Sequence, residues 1–540
     1  MASLQEGTTI AGNEAYHTAN LPKFSPGINK VQRVCPSSAS GEIIYLIDGK
    51  LYGSVVGGSS YGRVLLRASD MGIVRNDVDI LTDFFEIPIQ GKYNYLGYGK
   101  FTELEVVGNT AYALSDDHRL YGWGGAGAGV LGGGNTDYVI FPLPLQVDIG
   151  VDKFFTRKEH TSTGLSNFAI HYRDTDGNIK TLGNGVYGCT GLGNTDMVDN
   201  PEIITDVPKW SEVYPISDTM VFAVTPDNRI LAWGKNTKRS SGSSDFGDPD
   251  GNGEIITTPT DVTDNWNPDG WEVLDIGGTG DIYDTDAGEV VAYDTAYIVL
   301  KNPAGGFKVM GCGSGADSKL GTDTNDDTAT PVVITEVDSG DSGPYFYKLI
   351  VESARGPVRV THGPTEGDFQ EGVNKYALKM KMWGYNGNGV LGIGNSDPGT
   401  QVYTRYYVYD VHTTYQNIPK PTSNIRSWIT TINWAGKYFM VSATGYGGDG
   451  GLGTGYTFSR DTYSTATRLT KFKEKAGLQL PDLEKVHSLR IGDSETLTIY
   501  QHSEGISICG GSTTKYIRLK NPSRPMIPIE LNFTKTKGVI

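Results

Sequence analysis

The stretch "LYGWGGAGAGVLGGGNTDYVIFPLPLQV", Leu120 to Val147, constrains the fold more than any other part of the chain. A tryptophan leads into a run made largely of glycine and alanine, and Pro142 and Pro144 follow it. Each glycine costs a helix interior about 1 kcal/mol relative to alanine, so the run is a tight connection between extended segments. It is also not unique. "RILAWGKNTKRSSG" carries Trp233 and Gly234, and "KMKMWGYNGNGVLGIGNSDPGT" carries Trp383 and Gly384. Eroded copies surround Gly53, Gly183, Gly311, Gly445 and Gly510. With Gly124 these make eight marker glycines, 51 to 77 residues apart in chain order. A recurrence on that scale marks one supersecondary unit repeated along the chain.

Each copy keeps the same internal order. A short strand comes first: "INKVQRV", "FTELEVV", "VDKFFTR", "WSEVYPI", "WEVLDIG", "FYKLIVE", "IRSWITT" and "LEKVHSL". A hairpin follows in most copies, as in "AYALSDDHRLYGWG" and "FAIHYRDTDGNIKTLG", with Asp-Gly or Asp-Asn at turns that need positive φ. Then come the glycine-rich loop and a segment related to P-x-x-V, such as "FPLPLQV", "TPTDV" and "TPVVITEV". Each unit therefore supplies about four short strands, and one such sheet cannot bury both its faces alone.

Arranged radially, each sheet covers its neighbour and only short edges remain. The expected fold is all-β and helix-poor: a β-propeller of four-stranded blades over residues 28–540, with eight repeats counted. The 72 glycines among 540 residues and the 31 tyrosines agree with a turn-dense β chain. Trp123, Trp233 and Trp383 are expected to pack between blades. Gly124, Gly234 and Gly384 would allow close backbone approach there, and the proline would open an outer strand that donates no ladder bond.

The order of strand, Asp-Gly hairpin, Trp-Gly, glycine loop, Leu-Gly-x-Gly-Asn-x-Asp and P-x-x-V resembles the regulator-of-chromosome-condensation repeat. It is strongest from Gly122 to Val147 and from Met382 to Pro398. The resemblance implies a propeller, with seven blades the family norm against the eight units counted. It also implies an interaction scaffold such as a small-GTPase exchange factor, although that family's exchange residues find no counterpart here.

Residues 1–27 belong to no unit. Within them "AYHTANLPK" resembles the "WHxGNLP"-like peptide near the front of many bacteriophage tail-fibre and appendage proteins. His17, Asn20, Leu21 and Pro22 match, Tyr16 stands for Trp and Ala19 for Gly. By that resemblance the segment, Tyr16 included, is an extended attachment arm. It would join other virion proteins, in a particle made in the host cytoplasm and with the protein oligomeric there.

Other chemistry is thinly represented. The net charge of −16 repels a phosphate backbone, so no nucleic-acid partner is expected. No run of 18 apolar residues or secretory leader is visible, so no membrane insertion is expected. Cys35, Cys189, Cys312 and Cys509 lie far apart and read as reduced structural cysteines. "GDSGP" at 340–344 and "GSSYG" at 58–62 lack the partners and the strand-to-helix elbow that serine hydrolases need. His118 falls in a hairpin turn and reads as a solvated loop residue.

"DPDGNGEI" supplies Asp248, Asp250, Asn252 and the Glu254 carbonyl in the spacing of a calcium loop. Pro259 stands where the bidentate glutamate belongs, which would weaken affinity, so the segment reads either as an acidic loop inserted into a blade or as a calcium loop, and no other cofactor is expected. Longer loops in the fourth, fifth and sixth units, rich in Tyr, Asp and Arg, suit contact with host surface polysaccharide or protein. The expected function is a non-enzymatic virion protein displaying a propeller, with the cellular scaffold and a glycan-cleaving virion enzyme as rivals.

Overall fold

The computed structural model describes residues 31–36, 43–54, 84–87, 99–107, 110–126, 129–133, 139–155, 169–217, 219–243, 254–280, 282–284, 290–292, 294–322, 324–340, 344–351, 358–363 and 379–386, and strands and single positions from there to 531. Among them stand eight four-stranded sheets, each an antiparallel meander. In chain order the sheets span 31–86, 101–149, 151–203, 212–261, 272–338, 345–406, 422–465 and 483–531, here blades 1 to 8. The α-helix among the described residues is the four-residue Thr263–Trp266. The chain is a β-propeller.

The first strands of successive blades lie side by side. Val31–Pro36 packs beside Phe101–Val107, and Val151–Phe155 beside Glu212–Pro215. Glu212–Pro215 neighbours Glu272–Thr279, which in turn neighbours Tyr345–Val351. First strands therefore face the hub and fourth strands the rim. Val31–Pro36 also meets Glu495–His502 of blade 8, which brings the ends of the described chain together.

The third strand of six blades carries the same irregularity. The register with the outer strand shifts between Gly122 and Gly124, Thr181 and Gly183, Ala232 and Gly234, Gly311 and Gly313, Met382 and Gly384, and Ala443 and Gly445. Gly234 has φ of 115° and Gly313 of 111°, conformations that only glycine adopts freely. A side chain at Gly234 would also collide with the Thr219 carbonyl. The prolines sit inside the outer strand at this bulge, not at its start: Pro201 between Val198 and Glu202, Pro259 between Ile256 and Thr260, and Pro331 between Thr328 and Val332. A bulge leaves residues unpaired, so a residue without an N–H costs no ladder bond there.

Three sequence expectations are corrected. In blade 5 the residue equivalent to the marker glycines is Gly313, opposite Thr295, and not Gly311; Cys312 therefore takes the tryptophan position. In blade 7, "IRSWITT" belongs to the second strand, Ser427–Trp434, which pairs with Tyr438–Gly445; the first strand is the short Thr422–Ser423. In blade 6, "VRVTHG" is a second strand, Val358–Gly363, and not part of an insertion. The blade 5 insertion carries its own small hairpin, Ile282–Asp284 with Val290–Ala292.

Candidate functional site

The apolar clusters lie between blades. Trp123 is fully buried with Cys35, Ile44 and Leu46 of blade 1 and Leu104 and Ala113 of blade 2. Trp233 packs between blades 3 and 4 against Phe155, Ile179 and Cys189, and Trp383 between blades 5 and 6 against Tyr297, Val299 and Phe307. Each buried indole has an N–H to satisfy. The Trp233 Nε1 donates to the Cys189 carbonyl at 2.8 Å, and the Trp383 Nε1 to the Lys319 carbonyl at 2.7 Å. Both acceptors occupy the same place, six residues past the marker glycine in the loop of the preceding blade.

The same carbonyls take a second donor from the second strand of their own blade. The Tyr297 hydroxyl donates to Lys319 O at 2.8 Å, and His171 Nε2 lies 2.9 Å from Cys189 O. In blade 2 the Tyr112 hydroxyl reaches Val130 O at 2.7 Å. The two donors meet edge to face, His171 with Trp233 at 5.8 Å and Tyr297 with Trp383 at 6.0 Å between ring centres. A carbonyl has two lone pairs, and this one uses both to fasten a glycine loop to the next blade.

Between blades 4 and 5 the latch is rebuilt from a residue outside the repeat pattern. Cys312 is too small to fill the tryptophan site. Trp266, from the short helix after the outer strand of blade 4, enters instead. Its Nε1 donates to Ser241 O at 2.6 Å, and its ring meets Phe222 edge to face at 5.9 Å. The cue was present as a lone tryptophan in "DNWNP", directly after a P-x-x-V segment.

His171 is the anomaly of this set. It is fully buried, and its Nδ1 has no hydrogen-bond partner among the described residues. A carbonyl can only accept, so Nε2 donates, and with no acceptor at Nδ1 the neutral ring is the form that fits. Burial lowers its pKa to about 4, against the opposing pull of the Cys189 carbonyl. Cys312 is also buried, and burial pushes its thiol up to about 12. Cys35, Cys189 and Cys312 are free thiols, all buried.

The hub holds a cavity of about 380 Å³, lined by the first strands of blades 2 to 6. Four charged side chains stand at one level of it. Glu103, Lys153, Glu212 and Asp275 face Leu114, Arg173, Val224 and Val299, the same register position of four successive second strands. Phe155, Ile216 and Gly278 add apolar or small positions further along these strands, and Glu105 adds another carboxylate. The charged end is knitted together. Lys153 pairs with Glu212 at 2.5 Å, while Arg173 bonds Asp152 at 2.7 Å and Glu212 at 2.8 Å. Arg33 pairs with Glu105. Burial raises the Glu103 carboxyl above its ordinary pKa, against the pull of Lys153 and Arg33.

Tyr16, His17, Asn20, Leu21 and Pro22 lie outside the described residues, as do Asp248, Asp250 and Asn252. Glu254 is described and exposed, and its carbonyl accepts the Asn236 amide at 2.9 Å. Among the described residues no group of three His, Cys, Asp or Glu side chains is placed to hold a metal ion, and no helix is long and apolar enough to cross a membrane. His118 is exposed, with φ of 64° in its turn.

No family model matches the chain. Among curated proteins it is similar to the regulator of chromosome condensation of Xenopus laevis, 27% identical over 242 residues, covering 44% of this chain and 53% of that protein. The Homo sapiens regulator of chromosome condensation is 27% identical over 150 residues, 27% of this chain and 34% of that protein. The chain thus spans about half the length, or less, of these relatives. Among solved structures, human WBSCR16 aligns with a TM-score of 0.48 at 14% identity over 80% of this chain and 96% of that one. Prp20p from Saccharomyces cerevisiae aligns with a TM-score of 0.44 at 16% identity over 72% of this chain and 78% of that one. The sequence similarity supports a propeller resembling that of the regulator of chromosome condensation.

Proposed function

We propose that the chain is a non-enzymatic virion protein of a bacteriophage that displays a propeller for host attachment or assembly. The observation that carries the virion placement is "AYHTANLPK", with His17, Asn20, Leu21 and Pro22 in the pattern of tail-fibre and appendage proteins, set ahead of the first repeat. The binding role draws its support from the hub. Its charged groups are tied into ion pairs, Arg173 with Asp152 and Glu212 above all, an arrangement suited to presenting a fixed surface. Mass spectrometry of purified particles tests the placement, and a variant lacking residues 2–27 tests the arm. Undiminished incorporation of that variant removes the arm's role, and absence from particles removes the virion reading.

A second reading is favoured by the similarity to the regulator of chromosome condensation. Prp20p is described by its binding properties to Gsp1p and histones. On this reading the chain is a cellular interaction scaffold of the same kind. Pulldown with small GTPases separates the two, and a reducing-end assay on host surface polysaccharide tests for glycan cleavage.

A further inference from the structure

The chain enters the first strand of three neighbouring blades through a residue in the left-handed region. Before blade 3 this is Gly150, with φ of 68°, and before blade 5 Gly270, with φ of 67°. Before blade 4 it is Trp210, with φ of 65°. A bulky side chain in this conformation costs on the order of 1 kcal/mol or more, and glycine costs nothing. The two glycines do not share the Trp210 position, however: Trp210 stands two residues before Glu212, as Val151 stands before Lys153 and Val273 before Asp275, and neither valine has positive φ, so the strain at Trp210 is not required by the fold.

The strain also fails to bury the indole. Trp210 is 52% exposed, whereas Trp123, Trp233, Trp266 and Trp383 are fully buried. The ring is nevertheless held in place. The Trp210 amide donates to Gly177 O at 2.8 Å, and the indole lies against Gly177, where any side chain would collide with it. The Arg173 guanidinium stands 5.3 Å from the ring centre. Arg173, itself only 13% exposed, is fixed in turn by Asp152 and Glu212. Glu212 and Lys153, two residues and one ion pair away from the indole, line the charged end of the hub cavity.

An aromatic ring about half open to solvent, held beside planar hydrogen-bonding groups, suits a sugar. The apolar face of a pyranose lies on the indole. Vicinal hydroxyls, donors and acceptors at once, meet carboxylates and a guanidinium already locked in place, so little side-chain entropy is lost on binding. Charge selects among glycans. The net charge of −16 and the carboxylates Glu103, Glu212 and Asp275 at the cavity repel polyanionic chains and leave uncharged hexoses.

We propose that Trp210, Arg173 and Glu212 form a binding site for a neutral hexose of a surface glycan at the charged end of the hub. The proposal rests on the attachment reading for its biological use, and its test is independent of particles. The full chain is titrated with maltohexaose, cellohexaose and mannohexaose, and separately with a hexalysine peptide, following intrinsic tryptophan fluorescence and heat. At least one hexasaccharide is expected to bind.

The variant Trp210→Gly, which removes the ring and takes the positive φ without strain, is expected to melt no lower than the wild-type chain and to weaken that binding at least about tenfold. If the variant does not fold, protection of Trp210 from N-bromosuccinimide by the same sugar, read by peptide mass spectrometry, decides the matter. The four buried tryptophans serve as internal references. No sugar binding, equal binding by wild type and Trp210→Gly, no protection of Trp210, or binding of hexalysine alone would each overturn the site. Sugar binding by a protein absent from particles would instead keep the site and remove the virion reading.

Discussion

Acid should loosen the interface between blades 3 and 4, and one side chain accounts for it. His171 is neutral and buried in the folded chain, with a pKa of about 4, and titrates near 6.5 once unfolded. Between those values the unfolded chain binds a proton that the folded chain refuses. Stability therefore rises with pH across this window. The contribution is fully present above about pH 6.5, is lost as pH falls towards 4, and has no further slope below that. A gap of that size corresponds to about 3 kcal/mol at 1.36 kcal/mol per pH unit.

The control is written in the neighbouring blades. Blades 2 and 5 carry Tyr112 and Tyr297 at the same register position, donating to the equivalent carbonyl. His171→Tyr is expected to keep the bond to Cys189 O and to remove the titration. Urea unfolding of both proteins at several pH values between about 7.5 and 4 should give curves that diverge by about 3 kcal/mol towards acid. The carboxylates common to both cancel in the difference. Parallel curves would mean that His171 is not the buried neutral donor described here.

Three further outcomes follow from the interfaces. Trp233→Phe removes one of two donors to Cys189 O and should cost about 1 kcal/mol, because His171 still satisfies the carbonyl; combined with His171→Phe, the loss should exceed the sum of the singles in a double-mutant cycle. Gly234→Ala faces both a φ of 115° and the Thr219 carbonyl, and thermal melting should show a loss of about 2 kcal/mol or more. Cys312, with its thiol raised to about 12 and buried, should stay unreactive to a disulfide reagent at neutral pH until denaturant is added.

The repeat was legible because its periodicity lies in backbone requirements. A glycine that must adopt positive φ and admit a neighbouring carbonyl cannot drift, so Gly124, Gly183, Gly234 and Gly384 mark their blades in sequence as in space. In blade 5 the marker stands two residues beyond the glycine that the pattern suggests, since "MGCG" offers two glycines and no tryptophan to choose between them. Only the pairing of Gly313 with Thr295 resolves it. Trp266 was not legible as a latch, because its role follows from the small size of Cys312, 46 positions later. The hub charges were equally hidden. Glu103, Lys153, Glu212 and Asp275 stand far apart in sequence and share a level only once the first strands are set around an axis.

This division between latch and hub bears on how such a chain can vary its partners. The latches recruit main-chain carbonyls of Cys189, Ser241 and Lys319, which exist whatever side chain the loop carries. Loop side chains facing solvent can therefore change without loosening the ring. The hub is different: Arg173 joins Asp152, Glu212, Phe155 and Trp210 in one network, so a change at any of them reaches the others. Replacing Arg173 by methionine keeps the bulk but leaves Asp152 and Glu212 without their shared cation. It should therefore cost more than an exposed ion pair, whose median is about 0–1 kcal/mol, and should also release the indole. Trp210 emission would report the release as a red shift in the folded protein, and an unshifted spectrum would show that Gly177 alone holds the ring.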